Sequence, residues 1–246
     1  MRKLGAIMKP TTKLLVKAAY VLGATGLLAA VVRARVRSMF EGPSTTTTGT
    51  TGAGTTAPSS ADELPIVQLL TTHKFNEGRR SEICQIVIHT AGFSEVPNGA
   101  RLLAEQLADV DKWTRDASWH YAVDNAQIVQ SIKDEDTAWH ANEVNDWSIG
   151  IELVAKEQYA SEWQDEYSKA ELDLAERLVA YLCRKHGIPV HQVTTDELIA
   201  DPQTPGITGH GNVAQAAGRT DRSDPGSNFP WSDFITKVGT YYATQA

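Results

Sequence analysis

The chain contains little cysteine and no compact metal-binding motif. Cys84 and Cys183 are the only cysteines among 246 residues. Two are too few for a disulfide framework, and neither has the close spacing to a second ligand that is typical of a structural zinc site. Each lies among apolar residues, so we expect two buried thiols. The helical HExxH signature of many zinc hydrolases is also absent.

Positive charge is scarce outside the N-terminus. Residues 1–43 contain eight Lys and Arg against one acidic residue, whereas the remainder contains 15 basic and 29 acidic residues. The net charge is -7. An acidic body excludes nucleic acid as the main partner, because phosphate binding needs a basic surface.

A long apolar run of membrane-spanning length is missing as well. The run over residues 14–32 is interrupted by Lys17, and its cleanest part, 18–32, has 15 residues, against roughly 20 for a span. Basic residues flank it on both sides. We expect residues 1–41 to form a basic head that acts as an export signal or weak membrane anchor. The alternative is a tail with no role in export.

The segment that follows has nothing to bury. All nineteen residues from 42 to 60 are Gly, Pro, Ser, Thr or Ala, and none is charged. Such a composition predicts an unpacked linker. Residues 61–246 are long enough for one globular domain with its own core.

Within that domain, apolar and β-branched residues predict several strands. Residues 84–90 have the continuous apolar content of a buried strand. Residues 120–132 indicate a hairpin with its turn at 124–125, and 148–154 indicate a further strand.

Helices are predicted between and after these strands. The first follows from four apolar residues at helical spacing: Leu102, Leu103, Leu107 and Val110. A long helix is predicted to begin at a cap on Ser168, with Glu171 three residues on, and to end at Gly187. A last helix begins near Ser232. Strands and helices intermix, so we expect an α/β or α+β fold with a single mixed sheet flanked by helices.

Three separated residues carry the chemistry of a metal site. His89 ends the first strong strand, His210 lies between two glycines, and Asp224 precedes a proline. Two imidazoles and a carboxylate form a ligand set for a catalytic zinc that keeps a fourth position open for water. Because these residues lie far apart in sequence, a structural role for each remains open. Glu152, at the end of another strand, offers a carboxylate for proton transfer.

Four motifs occur together: His89 in IVIHT, Trp139-His140-Ala141, SIGIE over residues 148–152, and Gly209-His210 followed by Asp224-Pro225-Gly226. In this order the chain resembles the type-2 N-acetylmuramoyl-L-alanine amidases, over about residues 83–243. That family includes phage lysozyme-type amidases, bacterial wall-recycling amidases and animal peptidoglycan recognition proteins. Each motif is weak alone, but the combination is specific.

The resemblance implies Zn²⁺ as cofactor, held by His89, His210 and Asp224. His210 and Asp224 are separated by a few residues more than is usual for the family. Asp221 is therefore a rival for the third ligand, although the Pro-Gly after Asp224 favours the latter.

The resemblance also implies roles for residues around the metal. Glu152 matches the catalytic glutamate, and Arg222 matches a position often held by lysine, where a permanent cation stabilises negative charge on the substrate. His140 is expected to assist catalysis or contact substrate. Trp119 is a candidate substrate contact, with core packing as the alternative.

The expected function is hydrolysis of the amide between the lactyl group of N-acetylmuramic acid and L-alanine in peptidoglycan. A basic head on a linker suits a phage endolysin or an exported autolysin, held at the membrane or released to act at the bacterial cell wall. The alternative is a peptidoglycan-binding recognition module without catalysis.

Overall fold

The computed structural model describes residues 64–92, 94–155 and 162–244. The head predicted over 1–41 and the linker predicted over 42–60 lie outside the described residues. In the described ranges, no helix combines the length and apolar character that a membrane crossing requires.

The main sheet has six strands: β1 (Ile66–Gln68), β3 (Gln85–Thr90), β4 (Tyr121–Val123), β5 (Ile128–Gln130), β7 (Ser148–Leu153) and β8 (Gly206–Gly209). Their order is β1-β5-β4-β7-β3-β8. Every neighbouring pair is parallel except β4 and β5, which form the predicted hairpin. A separate antiparallel pair joins β2 (Phe75–Asn76) to β6 (Thr137–Ala138).

The helices are α1 (Gly99–Ala108), α2 (Glu166–His186), α3 (Thr195–Ala200), α4 (His210–Ala216) and α5 (Trp231–Thr244). Short 3-10 helices cover Asn142–Trp147 and Glu162–Gln164. The predicted mixed sheet flanked by helices is confirmed. Helix α3 was not predicted, although its Thr194 and Glu197 form a capping box that the sequence displays.

The predicted start of α2 is wrong by a few residues. The cap is Asp165, whose side chain accepts a hydrogen bond from the Ser168 backbone at 2.8 Å. Glu171 does not return to the cap, because its buried carboxyl accepts a hydrogen bond from the Val154 backbone at 2.6 Å. The predicted end at Gly187 is confirmed, with a left-handed φ of 67°. Such a φ favours glycine.

The two cysteines are free thiols. Cys183 is buried as expected, and Cys84 is half-buried.

The two faces of the sheet pack against different helices, because successive strand residues point to opposite sides. One face, with Ile86, Ile88 and Ile151, forms the large core under α2 and α5. The opposite face carries two smaller apolar clusters. One lies under α1 beside Ala122, and the other contains Val87 and residues of α3 and α4.

The residues of chemical interest belong to this second face. His89 is in register with Glu152, and Glu152 is in register with Ala122 on the next strand. Paired residues on adjacent strands present their side chains to the same side. The fold therefore sets His89 and Glu152 next to each other, between the two smaller clusters.

Candidate active site

Three potential metal ligands meet where the parallel strands end. His89 is the next-to-last residue of β3, and His210 begins α4 directly after the neighbouring β8. Asp224 Oδ2 lies 3.0 Å from His89 Nδ1 and 3.4 Å from His210 Nδ1. One ligand atom from each of the three residues lies within 4.8 Å of the others. Both imidazoles are buried, and Asp224 is partly buried.

Glycines around His210 let the loop that carries Asp224 dock closely. A Cβ atom at Gly211 would lie 2.9 Å from the Ser223 carbonyl oxygen, and one at Gly209 would lie 2.7 Å from Pro225 Cδ. The Gly211 backbone N–H also donates to the Asp224 carbonyl at 2.7 Å. Backbone can approach this closely only where no side chain intervenes.

Asp221, the rival third ligand, points elsewhere. Its side chain is 58% exposed, and one oxygen lies 3.6 Å from Arg219 Nε. Asp224 is 14% exposed and faces both imidazoles. The geometry therefore assigns the carboxylate of the cluster to Asp224.

The charge states of the cluster suit a cation. Burial lowers the pKa of His89, against the opposing effect of its hydrogen bond to Asp224. Although burial acts to raise the pKa of Asp224, hydrogen bonds with His210 and His89 hold it well below its usual range. A neutral imidazole and an ionised carboxylate are the forms that bind metal.

Glu152 lies beside the cluster with an unusual carboxyl group. Its Oε2 atom is buried and has no hydrogen-bond partner among the described residues. Burial, with the negative charge of Asp224, raises the pKa of Glu152 to about 8, while Arg222 and Arg115 act in the opposite direction. A carboxyl group with a raised pKa next to a metal site is suited to taking and giving protons.

Two arginines contribute positive charge at the rim. Arg222 is exposed, and its Nη1 donates to the Asp221 carbonyl at 3.2 Å. Its charge acts to lower the pKa of both His89 and Glu152. Arg115 was not predicted. It lies in the loop after α1, with its guanidinium 5.5 Å from the Trp113 ring centre, and nothing in its sequence context marked it.

His140 contacts the cluster from the inside of the protein. The ring is buried, with Nδ1 3.1 Å from His89 Nε2 and Nε2 3.1 Å from Ser148 Oγ. Burial, reinforced by the neighbouring His89, holds the pKa of His140 well below its ordinary value. Both ring nitrogens are engaged, so the predicted hydrogen bond to substrate would require one of these contacts to break. Ser148 was not predicted, although it opens the SIGIE motif.

The structure does not support the predicted substrate contact of Trp119. Its side chain is only 3% exposed and packs in the cluster under α1. The Trp113 ring meets it edge-on at 5.3 Å between ring centres. Because it follows a loop into β4, next to the core, Trp119 is a packing residue, which was the alternative reading of its sequence.

Residues 79–227, more than half of the chain, match the family model described as N-acetylmuramoyl-L-alanine amidase. The chain belongs to the N-acetylmuramoyl-L-alanine amidase family. This amidase is 30% identical over 127 residues to N-acetylmuramoyl-L-alanine amidase A of Achromobacter lyticus, in an alignment covering 49% of this chain and 68% of the relative. The predicted family, and the prediction that the chain is an amidase enzyme, are confirmed.

Solved structures agree on the fold. The Staphylococcus aureus hydrolase AmiA, solved with its ligand, is similar with a TM-score of 0.57 and 17% identity, covering 73% of this amidase and 84% of that chain. The catalytic domain of XlyA has a TM-score of 0.50 and 21% identity, covering 71% and 99%.

Proposed function

We propose that this amidase uses a zinc ion held by His89, His210 and Asp224 to cut the amide between the lactyl group of N-acetylmuramic acid and L-alanine in peptidoglycan. The observation that carries the proposal is the convergence of these three ligands beside Glu152, whose buried Oε2 has no hydrogen-bond partner among the described residues. The name of the Achromobacter lyticus relative supports the same bond as substrate.

The residues present fit zinc. Two nitrogens and one carboxylate oxygen, close together and largely shielded from solvent, are a donor set that zinc prefers in catalytic sites. When bound, zinc would lower the pKa of a coordinated water from ~15.7 toward ~7 and polarise the substrate carbonyl.

Glu152 supplies the proton transfers. Its carboxylate accepts a proton from the attacking water and later delivers it to the amine of L-alanine as the carbon–nitrogen bond breaks. Arg222, at the rim, stabilises the negative charge that develops on the carbonyl oxygen. Arginine stays protonated, so its contribution is electrostatic.

A recognition module without catalysis is the competing function. Such a module needs a peptide-binding surface but no buried carboxyl. Leaving a polar group buried without a partner costs about 1–3 kcal/mol. The isolated Oε2 of Glu152 beside the ligand cluster therefore favours an enzyme.

Zinc content tests the metal and its third ligand together. The purified protein should contain one zinc per chain by elemental analysis, and Asp224→Ala should lose it. Asp221→Ala is the matched control, because it removes a nearby aspartate that faces Arg219 rather than the imidazoles; it should keep its zinc. Zinc loss from Asp221→Ala, with retention in Asp224→Ala, would reverse the assignment.

We further propose that the enzyme acts at the bacterial cell wall, exported or tethered through residues 1–41, as a phage endolysin or an autolysin. The basic, apolar composition of that segment supports the proposal. Full-length protein should fractionate with membranes or outside the cytoplasm, whereas a variant lacking residues 1–43 should stay in the cytoplasm. Identical fractionation of the two would contradict it.

A further inference from the structure

We propose that His140 is a positioning residue which, together with Ser148, holds His89 in the tautomer that presents Nδ1 to the metal. The inference rests on the proposed zinc site and assigns His140 a different role from the contact with substrate expected from the sequence. It follows from accounting for each hydrogen along three consecutive contacts.

The first contact fixes the hydroxyl hydrogen of Ser148. Ser148 Oγ lies 2.6 Å from the Val144 carbonyl oxygen and 3.1 Å from His140 Nε2. A carbonyl oxygen can only accept, so the single hydroxyl hydrogen is donated to Val144. The Ser148 oxygen is then an acceptor toward His140, and Nε2 of His140 carries the hydrogen.

The next contact passes this constraint to the metal ligand. A neutral imidazole with its hydrogen on Nε2 has an acceptor at Nδ1. His140 Nδ1 lies 3.1 Å from His89 Nε2, so the His89 nitrogen is the donor. His89 Nδ1 hydrogen-bonds Asp224 Oδ2 at 3.0 Å. When zinc binds, it would take the place of the hydrogen in this contact, while Nε2 keeps its hydrogen for His140.

The surrounding structure fixes the position of His140 from two sides. Asn145 Oδ1 accepts hydrogen bonds from the backbone of His140 at 3.1 Å and of Ala141 at 2.7 Å. On the other side the ring lies against Gly150 of β7, where an added Cβ would be 2.5 Å from His140 Cγ. The glycine of the SIGIE motif thus leaves the space that the His140 ring occupies.

A metal-bound histidine usually donates its second ring N–H to a partner that fixes the ring, and loss of such a partner typically weakens metal binding or activity by about 10–100-fold. Here the partner of His89 is itself oriented by a serine. The role predicts an effect on zinc affinity itself, which a residue that only touches substrate would not produce.

Zinc affinity, measured by competition with a chromogenic chelator, tests whether His140 positions His89. His140→Phe keeps a ring but removes both nitrogens, and should weaken zinc binding by about 10–100-fold. His140→Asn places an amide oxygen near the former Nδ1 position and should recover most of that loss. Wild-type affinity in His140→Phe, or equal weakening in both variants, would overturn the proposal.

The tautomer is tested directly by nitrogen-15 NMR of the histidine rings in zinc-loaded protein. His140 should carry hydrogen on Nε2 and not on Nδ1, and His89 should carry it on Nε2. Ser148→Ala should disturb this pattern, whereas Ser131→Ala should not. Ser131 is the matched control, because it is also fully buried but its hydroxyl has no hydrogen-bond partner among the described residues. Hydrogen on Nδ1 of wild-type His140 would overturn the proposal.

The results separate this inference from the proposed function. A wild-type protein that binds no zinc overturns the proposed zinc site and, with it, the positioning role of His140. If the wild-type protein binds zinc and His140→Phe binds it equally well, only the positioning role of His140 is overturned.

Discussion

At the scale of single residues, the site shifts the pKa values of two neighbouring carboxyl groups in opposite directions. Hydrogen bonds to His210 and His89 keep the pKa of Asp224 low, against its burial, whereas burial and the charge of Asp224 raise that of Glu152 to about 8. A carboxylate that stays ionised binds a cation, and one that titrates near neutral pH exchanges protons. The environment of each group, rather than its residue type, decides its role.

The proposed role of Arg222, stabilising negative charge on the substrate carbonyl oxygen, depends only on its positive charge. Arg222→Gln should lower kcat on a soluble muropeptide by roughly 10²-fold, with a smaller change in KM, because the charge acts on the transition state. Arg222→Lys should retain most of the activity, since it keeps the positive charge. An unchanged kcat in Arg222→Gln would remove this arginine from the account.

At the scale of elements, the strand pattern carried most of what could be predicted. The apolar run over 84–90 and the SIGIE run were placed correctly, and the polar residues near their ends, His89 and Glu152, are in register on adjacent strands. Strand pairing itself was not predictable, because nothing local in the sequence states that β3 lies between β7 and β8.

The wrongly predicted cap and the contact that was not predicted have the same physical reason. Ser168 and Glu171 have the spacing of a capping box, but tertiary contacts use the Glu171 carboxyl for the Val154 backbone instead. The contact from Ser148 to His140 is equally invisible in sequence, since it depends on how the 3-10 helix turns back onto β7. Local patterns predict elements, whereas contacts between elements decide which polar group serves which neighbour.

Packing between α2 and α5 makes a prediction about pH. Glu176 on α2 is 1% exposed and lies 3.5 Å from Lys237 Nζ on α5. Burial raises the pKa of Glu176 to about 7, although Lys237 acts in the opposite direction. The pKa of Glu176 in the folded protein is above the ordinary value of 4.5. The contribution of its protonated carboxyl to the free energy of unfolding is therefore fully present below about pH 4.5 and is lost as the pH rises through 7.

Glu176→Gln should therefore gain stability relative to wild type on going from pH 5 to pH 8, by at most about 3 kcal/mol. Urea unfolding at both pH values measures the free energies of unfolding. Glu105→Gln, on the exposed surface of α1, controls for the removal of one acidic charge. A stability difference between Glu176→Gln and wild type that is the same at both pH values would contradict the expected titration.

At the scale of the whole molecule, the proposed catalytic residues His89 and Glu152 occupy one face of the sheet between two small apolar clusters, while the opposite face and its helices form the large core. This division lets the stabilising core and the reactive centre be built from alternate residues of the same strands. The same arrangement brings ligands that are distant in sequence to one edge of the sheet.

The most direct test of the central claim is mass spectrometry of the products released from purified sacculi. The wild-type protein should release stem peptides with a free L-alanine amino terminus and leave the glycan strands intact. Glu152→Gln should slow this release by about 10²–10⁴-fold while still binding zinc. Cut cross-links or cut glycan in place of free stem peptides, or wild-type release by Glu152→Gln, would contradict the account.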